Sequence, residues 1–588
     1  MAAAQAADER CLWRPRVLRE YSFIADGERG ALVAPDGAMV WLCAPAWDSP
    51  PVFAALLGGR GGYQLTPSDP WYVWGGAYES GSLIWRARWV GAETFECREA
   101  LAMPADPHRA VILRRIEAHD GPARVDLVLE LGTPRRRVQG LKRSKGAWTG
   151  QAGSLRFRWT GVRRARKDAD GRLVAKVTVP AGTHHDLVLE ISDRPLPGGT
   201  PDAGLAWEAT EDAWRAADVD CAGLVASRDA RHSYAVLTGL TSRSGAMVAA
   251  ATTSLPERLG GVRNYDYRYA WIRDQCYAGL AVAAHGNHGK LTGMTRFVTE
   301  RLLDDGPDLA PAYTASGGRL PEERRLRLRG YPGSRPRAGN KVRAQFQLDS
   351  LGEALQLLAA AGTHDLLGSD DWRAAEVAAC AIEKRWRQPD AGIWELTDEL
   401  WTHSRLTCVS GLRAIAGVAP RAGAQASRWT GLADSIMASL DASVHRTGRW
   451  QRTPSDARVD AALLLPVVRG AVPIGDPRGQ ATVEAIKDEL TDDGFVYRYR
   501  DESRPGRAEG AFLLCGFWMA LSAHVRGDDV EAAHWFERSR SACGPAALYT
   551  EEYDPLQRQQ RGNLPQAFVH AAMLECAVRL SAAANVNL

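Results

Sequence analysis

Near residue 229 the chain changes texture, and no single layered architecture serves both parts. Before that point, short apolar runs recur with turn residues between them. GALVAPDGAMVWLC (30–43) places two β-rich runs around Pro35-Asp36-Gly37, a hairpin signature. Similar runs follow at 82–90, 94–104, 110–119, 123–132, 154–162, 173–182 and 186–192. Strands at this spacing, with little helical sequence among them, predict a large antiparallel sandwich. A Pro/Gly-rich segment, RPLPGGTPDAG (194–204), closes that part, and a helical connector follows at 205–220. Beyond it, alanine-rich apolar stretches recur at 233–251, 269–285, 288–303, 343–361, 371–386, 402–417, 425–443, 457–470, 479–489, 509–525, 529–541 and 565–584. About twelve helices can form a bundle, a solenoid or a closed double ring of hairpins. No fixed repeat period is visible, which counts against the solenoid.

Composition excludes several classes of function. With 73 basic and 70 acidic residues the net charge is +3, so nothing points to a nucleic-acid partner. The opening MAAAQAADERC carries Asp8 and Glu9 and has no apolar core, unlike a secretory signal. No run of eighteen apolar residues exists, so no membrane span is expected. The 10 cysteines are scattered singly, without a metal or redox spacing, and read as free thiols in a reducing cytoplasm. His184-His185 has no third ligand beside it. The 20 tryptophans suit stacking on sugar rings, and equally suit large cores.

Three stretches concentrate chemistry. SLPERLGGVRNYDYRYAWIRDQCYAG (254–279) packs Arg263, Tyr265, Asp266, Tyr267, Arg268, Tyr269, Trp271, Arg273 and Asp274 where a helix starts. Arginine and aspartate offer opposite hydrogen-bond polarity and the rings offer faces, which suits a sugar-hydroxyl clamp; an ion-pair network is the structural alternative. QPDAGIWELTDELWTHSRLTCVSGL (388–412) sets Glu395 against Ile393 and Trp394. Partial desolvation there raises a carboxyl pKa, as a general acid requires. YTEEYDPLQRQQRGNLPQAFVHAAML (549–574) carries Glu551 and Glu552 side by side before a loop and a helix. In an extended loop successive side chains diverge, so the two glutamates serve different ends. Asp349 and Glu353 form an i, i+4 acidic pair that reads as structural.

GGVRNYDYRYAWIRD, GIWE and TEEYDP with GNLPQAF occur in the order in which they resemble the glucoamylase/trehalase-like glycoside hydrolases, family 15. The opening YSFIADGERGALVAPDGAMVWLCAPAWDSPPVFAALLG (21–58) also resembles bacterial members, and the resemblance spans roughly residues 20 to 580. It implies an N-terminal antiparallel β-super-sandwich followed by an (α/α)6 barrel catalytic domain. The corresponding domains are 1–200, a helical linker 201–228, and 229–588. It further implies Glu395 as general acid, Glu551 as general base and Tyr267 beside the attacking water. Arg273 and Asp274 would bind hydroxyls of the non-reducing glucose, with Trp271 and Trp394 as walls. Glu552 falls on the substrate side or orients the loop. No metal or organic cofactor is required.

The expected activity is inverting, exo-acting hydrolysis of a small α-glucoside: trehalose, isomaltose or isomalto-oligosaccharides, or malto-oligosaccharides. A disaccharide phosphorylase would need only one carboxylate, and a non-catalytic sugar-binding relative neither. The expected partner is therefore a small oligosaccharide or disaccharide, with no nucleic acid and no membrane, and a homo-oligomer remains open. Two departures from the bacterial pattern bear on substrate choice. His403-Ser404-Arg405 stands where His-Ser-Lys is common, and 330–353 carries extra basic residues. Both are expected along the aglycone side.

Overall fold

The computed structural model describes residues 13–133, 136–144, 146–258, 264–419, 424–500 and 510–584. Arg263, Cys11 and the N-terminal segment discussed above lie outside those residues.

The first part is two antiparallel sheets of eight strands each. One runs in the order Ser22–Ala25, Gly30–Val33, Ala38–Cys43, Gly62–Pro67, Ala123–Glu130, Leu173–Val179 and Arg166–Lys167, with Pro51–Phe53 beside Ala38–Cys43. The other runs Gln139–Ser144, Ala147–Ala152, Leu155–Thr160, His184–Ser192, Arg109–Ala118, Thr94–Leu101, Trp85–Gly91 and Tyr72–Tyr78. Their longest register pairs His184 through Ser192 with Glu117 back to Arg109. Inward residues of Ala123–Glu130 alternate with half-exposed ones, the period-2 pattern of a sheet with one buried face. Between the sheets lies a buried ion pair. Arg114, from the second sheet, reaches Glu99 at 2.6 Å and donates to the carbonyls of Tyr63 and Gly37 on the first. The guanidinium also stacks 4.3 Å from the Tyr63 ring. A buried charge persists when it is paired, and here Glu99 and the two carbonyls meet both terminal nitrogens of the guanidinium.

Helix Ala203–Ala217, capped by Asp202, leads into the helical part. There Ile272–His285, Asp349–Gly362, Thr402–Val418, the short pair Ala461–Leu464 and Leu465–Val468, Leu513–Val525 and Ala567–Ala584 pack each on the next. The last packs back on the first. A second set lies outside them. Ser227–Leu240, His288–Asp305, Ser369–Arg385, Ala424–Ala438, Pro477–Leu490 and Asp529–Arg540 each rest on an inner helix or its neighbour. Sequence explains the division. Leu513–Val525 is buried from Leu513 to Ala523, whereas Ser369–Arg385 buries only the face of Ala374, Ala375, Ala378, Ala379, Ala381 and Ile382. The contact between Asp349–Gly362 and Thr402–Val418 needs glycine: a Cβ on Gly411 would sit 2.3 Å from the Gly352 carbonyl oxygen.

The two parts are joined by polar contacts rather than by apolar packing alone. Arg268 and Asp266 form a buried pair at 2.7 Å, and Arg268 also donates to the backbone oxygens of Ser49 (2.9 Å) and Trp47 (3.3 Å). Trp41 Nε1 donates to the Ala251 carbonyl at 2.9 Å.

Candidate active site

The loops that precede the inner helices converge on one cavity of about 730 Å³. Arg273, Leu514 and Phe568 come from the first turns of their helices, and Glu395, Arg498 and Glu551 from the loops just before. The cavity therefore faces helix N-termini, whose dipoles favour negative charge. It is graded in exposure. Glu257, Arg273, Ile393, Trp394, Arg498, Leu514, Glu551 and Phe568 are buried, while Lys341, Ala344 and Thr397, which also line it, are exposed.

Glu395 is held by its loop and by two side chains. Asp390 anchors the loop: it accepts from the Gly392 N–H (3.1 Å) and Ser404 Oγ (2.8 Å) and pairs with Arg405 at 2.5 Å. Arg405 also donates to the Trp386 carbonyl at 3.1 Å. The His403-Ser404-Arg405 departure is thus buried behind the acid loop and does not line the cavity, contrary to the aglycone-side expectation. Glu395 itself adopts φ 55°, a left-handed backbone that costs a non-glycine residue about 1–3 kcal/mol. Trp271 Nε1 donates to Glu395 Oε1 at 2.8 Å, and the Arg273 guanidinium lies 3.6 Å away. Trp394 lines the cavity and donates its Nε1 to Asp460 at 2.8 Å.

Glu551 is fully enclosed and accepts from Tyr267 Oη at 2.9 and 3.2 Å. Burial pushes its carboxyl well above the usual carboxylate range. The nearby charge of Glu257 adds to the rise, while Arg498 opposes it. Burial and the charge of Glu551 likewise raise the Tyr267 phenol, which stays a hydrogen-bond donor. Tyr267 meets Trp271 edge to face with ring centroids 5.5 Å apart. One line of contacts therefore runs Glu395–Trp271–Tyr267–Glu551.

Glu552 turns the other way. It begins the strand Glu552–Asp554, opposite Phe512, and its carboxylate takes Arg498 Nη2 at 2.8 Å and the Gly510 N–H at 2.8 Å. It is not among the residues lining the cavity; Arg498 is. Asp274 is buried behind Arg273, 3.3 Å from its Nε, and burial raises its carboxyl to about 6. Trp271 and Asp274 both sit one layer behind the cavity wall. The aromatic-charged stretch divides: Tyr265, Tyr267 and Arg273 face the cavity, while Asp266 and Arg268 face the sandwich. Asn563, from GNLPQAF, ties that stretch down through the Tyr265 carbonyl (3.0 Å) and Thr252 (2.9 Å). Asp349 and Glu353 are buried away from the cavity, with carboxyls raised by burial to about 7 and about 8.

Residues of the basic segment do reach the cavity, as Arg337, Lys341, Ala344 and Gln345, together with Glu323 from the chain before it. Glu257 and Arg498 also line it, and neither was among the expected site residues. Glu257 follows an unremarkable Leu-Pro, and Arg498 sits in an aromatic–arginine alternation, VYRYR, that a search for stacked guanidiniums could have noted.

Known proteins resemble this chain over nearly its whole length. Residues 238–578 match Glycosyl hydrolases family 15, and residues 14–191 match the trehalase-like N-terminal family. A trehalase of Mycolicibacterium smegmatis is 31% identical over 609 residues, covering 96% of this chain and 91% of its own. A trehalase of Mycobacterium tuberculosis is 30% identical over 621 residues, covering 96% and 89%. Among solved structures, a bacterial glucoamylase complexed with acarbose superposes with a TM-score of 0.71 at 14% identity, covering 96% of this chain and 94% of that one; it speaks to fold alone. The chain is a glycoside hydrolase and belongs to glycosyl hydrolases family 15.

Proposed function

We propose that this glycoside hydrolase is an inverting, exo-acting α-glucosidase whose substrate is trehalose. One observation carries the reading: Glu395 and Glu551, remote in sequence, line a single cavity and are linked through Trp271 and Tyr267. In this reading the buried part of the cavity takes the non-reducing glucose, with Arg273 on its hydroxyls and Asp274 holding Arg273. Trp394 forms a wall. Glu395 protonates the glycosidic oxygen as positive charge develops on the sugar ring. Glu551 removes a proton from a water that Tyr267 helps to hold, on the opposite face. An inverting displacement needs the two carboxyls about 6.5–9.5 Å apart, to leave room for that water. No step calls on a cofactor.

Trehalose is favoured over isomaltose and malto-oligosaccharides because relatives named trehalase match nearly the whole chain. The more exposed part of the cavity, with Glu323, Arg337 and Lys341, offers charged hydrogen-bonding groups to a second sugar. We read the closed ring of inner and outer helices as an (α/α)6 barrel spanning 229–588, preceded by a sandwich domain at 1–200 and a linker at 201–228. Nine described cysteines without a disulfide suit a reducing, cytoplasmic setting. No described helix is long and apolar enough to cross a membrane.

Proton NMR of a trehalose digest in its first minutes tests the reading. Inversion releases one glucose as the β anomer and leaves the other as α, so equal initial signals are expected before mutarotation. Two α signals would mean retention, and glucose 1-phosphate formed only with added phosphate would mean phosphorolysis. Turnover of isomaltose or maltose but not trehalose would move the substrate assignment alone.

A further inference from the structure

The adjacent glutamates of the 549–574 stretch are joined through a third party. Arg498 is a buried cation in the cavity wall, with its guanidinium carbon 4.5 Å from the Phe512 ring centre and 5.8 Å from that of Trp394. Its Nη2 reaches back to Glu552 at 2.8 Å and across to Glu257 at 3.4 Å. Glu552 cannot swing, because its second oxygen is occupied by the Gly510 N–H at 2.8 Å. A Cβ on Gly510 would meet the Tyr553 carbonyl oxygen at 2.7 Å, so the strand and the segment leading to Phe512 are in tight contact there.

Among the described residues, the groups that act most strongly on Glu551 are Glu257, Arg498, Tyr267 and Glu395. Two of them are carboxylates and one is a phenol; the cation of the set is Arg498. A carboxylate enclosed among apolar groups and like charges takes up a proton and is lost as a base, unless an opposite charge is fixed beside it. A long side chain fixed at one end only would spread its charge over many rotamers.

We propose that Glu552 is a positioning residue that fixes Arg498 at the cavity wall, and that the opposed charges of Arg498 and Glu257 set how readily Glu551 accepts a proton. This rests on the assignment of Glu551 as the base. The adjacent glutamates thus divide their labour: one meets water, and the other holds the cation that keeps the first usable.

The test is the acid limb of the kcat/KM profile on trehalose, which reports the base in the free enzyme. Glu552→Gln keeps shape and the Gly510 hydrogen bond but loses its grip on Arg498. It should lower kcat/KM about 10-fold or more at pH 6 and move the acid limb up by about one pH unit. Glu257→Gln removes a like charge and should move the limb down. The opposite signs matter, because Glu552 acting merely as a nearby negative charge would also move it down on removal. Unmoved limbs, or limbs that move the same way, overturn the proposal. Should Glu552→Gln fail to fold, Arg498→Lys keeps the charge without the fork and should shift the limb up by less. A measurement without substrate separates this from failure of the functional reading. The change in melting temperature caused by Glu551→Gln, followed against pH, should extend to higher pH in the Glu552→Gln background than in the parent. An identical pH window in both backgrounds overturns the proposal even if trehalose is never cleaved.

Discussion

Glu551 is at odds with its surroundings, and the conflict can be measured. Burial and the charge of Glu257 hold its folded pKa above the unfolded value of about 4.3. A raised carboxyl favours the folded state fully below the unfolded pKa, and that contribution is lost as pH rises through the folded pKa. Glu551→Gln removes the titration while still accepting from Tyr267. At pH 7 the variant should melt higher than the parent, by a degree or more in calorimetry, and at pH 4 the two should coincide. The same variant should lose about 10²–10⁴-fold in kcat, the usual scale for general acid–base groups. A variant that melts lower at pH 7 would show that Glu551 is satisfied as an anion. Such opposition of stability and activity is expected where an active site holds strain or unfavourable charge.

Elements were legible where periodicity was long, and obscure where burial was complete or absent. The inner helices announced themselves as apolar runs, but 233–251 was expected to be one helix. It ends at Leu240, and the buried segment after it is bridged, extended chain. The break is the turn Ser242–Gly245, where the Gly245 N–H donates to the Ser242 carbonyl at 2.9 Å; the apolar residues on either side of it masked that short polar signal. Tyr72–Tyr78 is an edge strand, largely exposed and with two glycines, and gave no alternation to read. In the site, Glu395, Glu551 and Tyr267 stood in recognisable company, while Glu257 and Arg498 acquire meaning only when distant loops close on each other. The acid loop is equally a product of closure, since Asp390 and Arg405 are both buried and answer each other. Removing one partner leaves the other charge buried and unmatched, at a cost of about 3–5 kcal/mol. Asp390→Ala should therefore lower the melting temperature sharply and release Glu395 from its strained backbone, with kcat falling too. A protein that keeps both its melting point and its kcat would remove the anchor role from Asp390.

Across the whole molecule, the sandwich buttresses the stretch that carries Tyr265, Tyr267 and Arg273. Arg268 is the strut: Asp266 steadies it, and the carbonyls of Trp47 and Ser49 receive it. Arg268→Met keeps much of the apolar stem and deletes the donors, leaving Asp266 buried without its partner. We expect a lower melting temperature together with a fall of about 10-fold or more in kcat, although Arg268 is not among the cavity-lining residues. Unchanged kcat in a folded Arg268→Met protein would mean that the cavity stands without this support. Main-chain oxygens are the part of a residue that substitution does not alter. Ser49 can therefore change identity and still meet the guanidinium, whereas Trp47 is also held by its buried indole, which donates to the Gly27 carbonyl at 2.8 Å, and one residue inserted before them would carry both oxygens out of reach. On the sandwich side, the tie between the two halves is therefore set by the length of that loop as much as by its side chains.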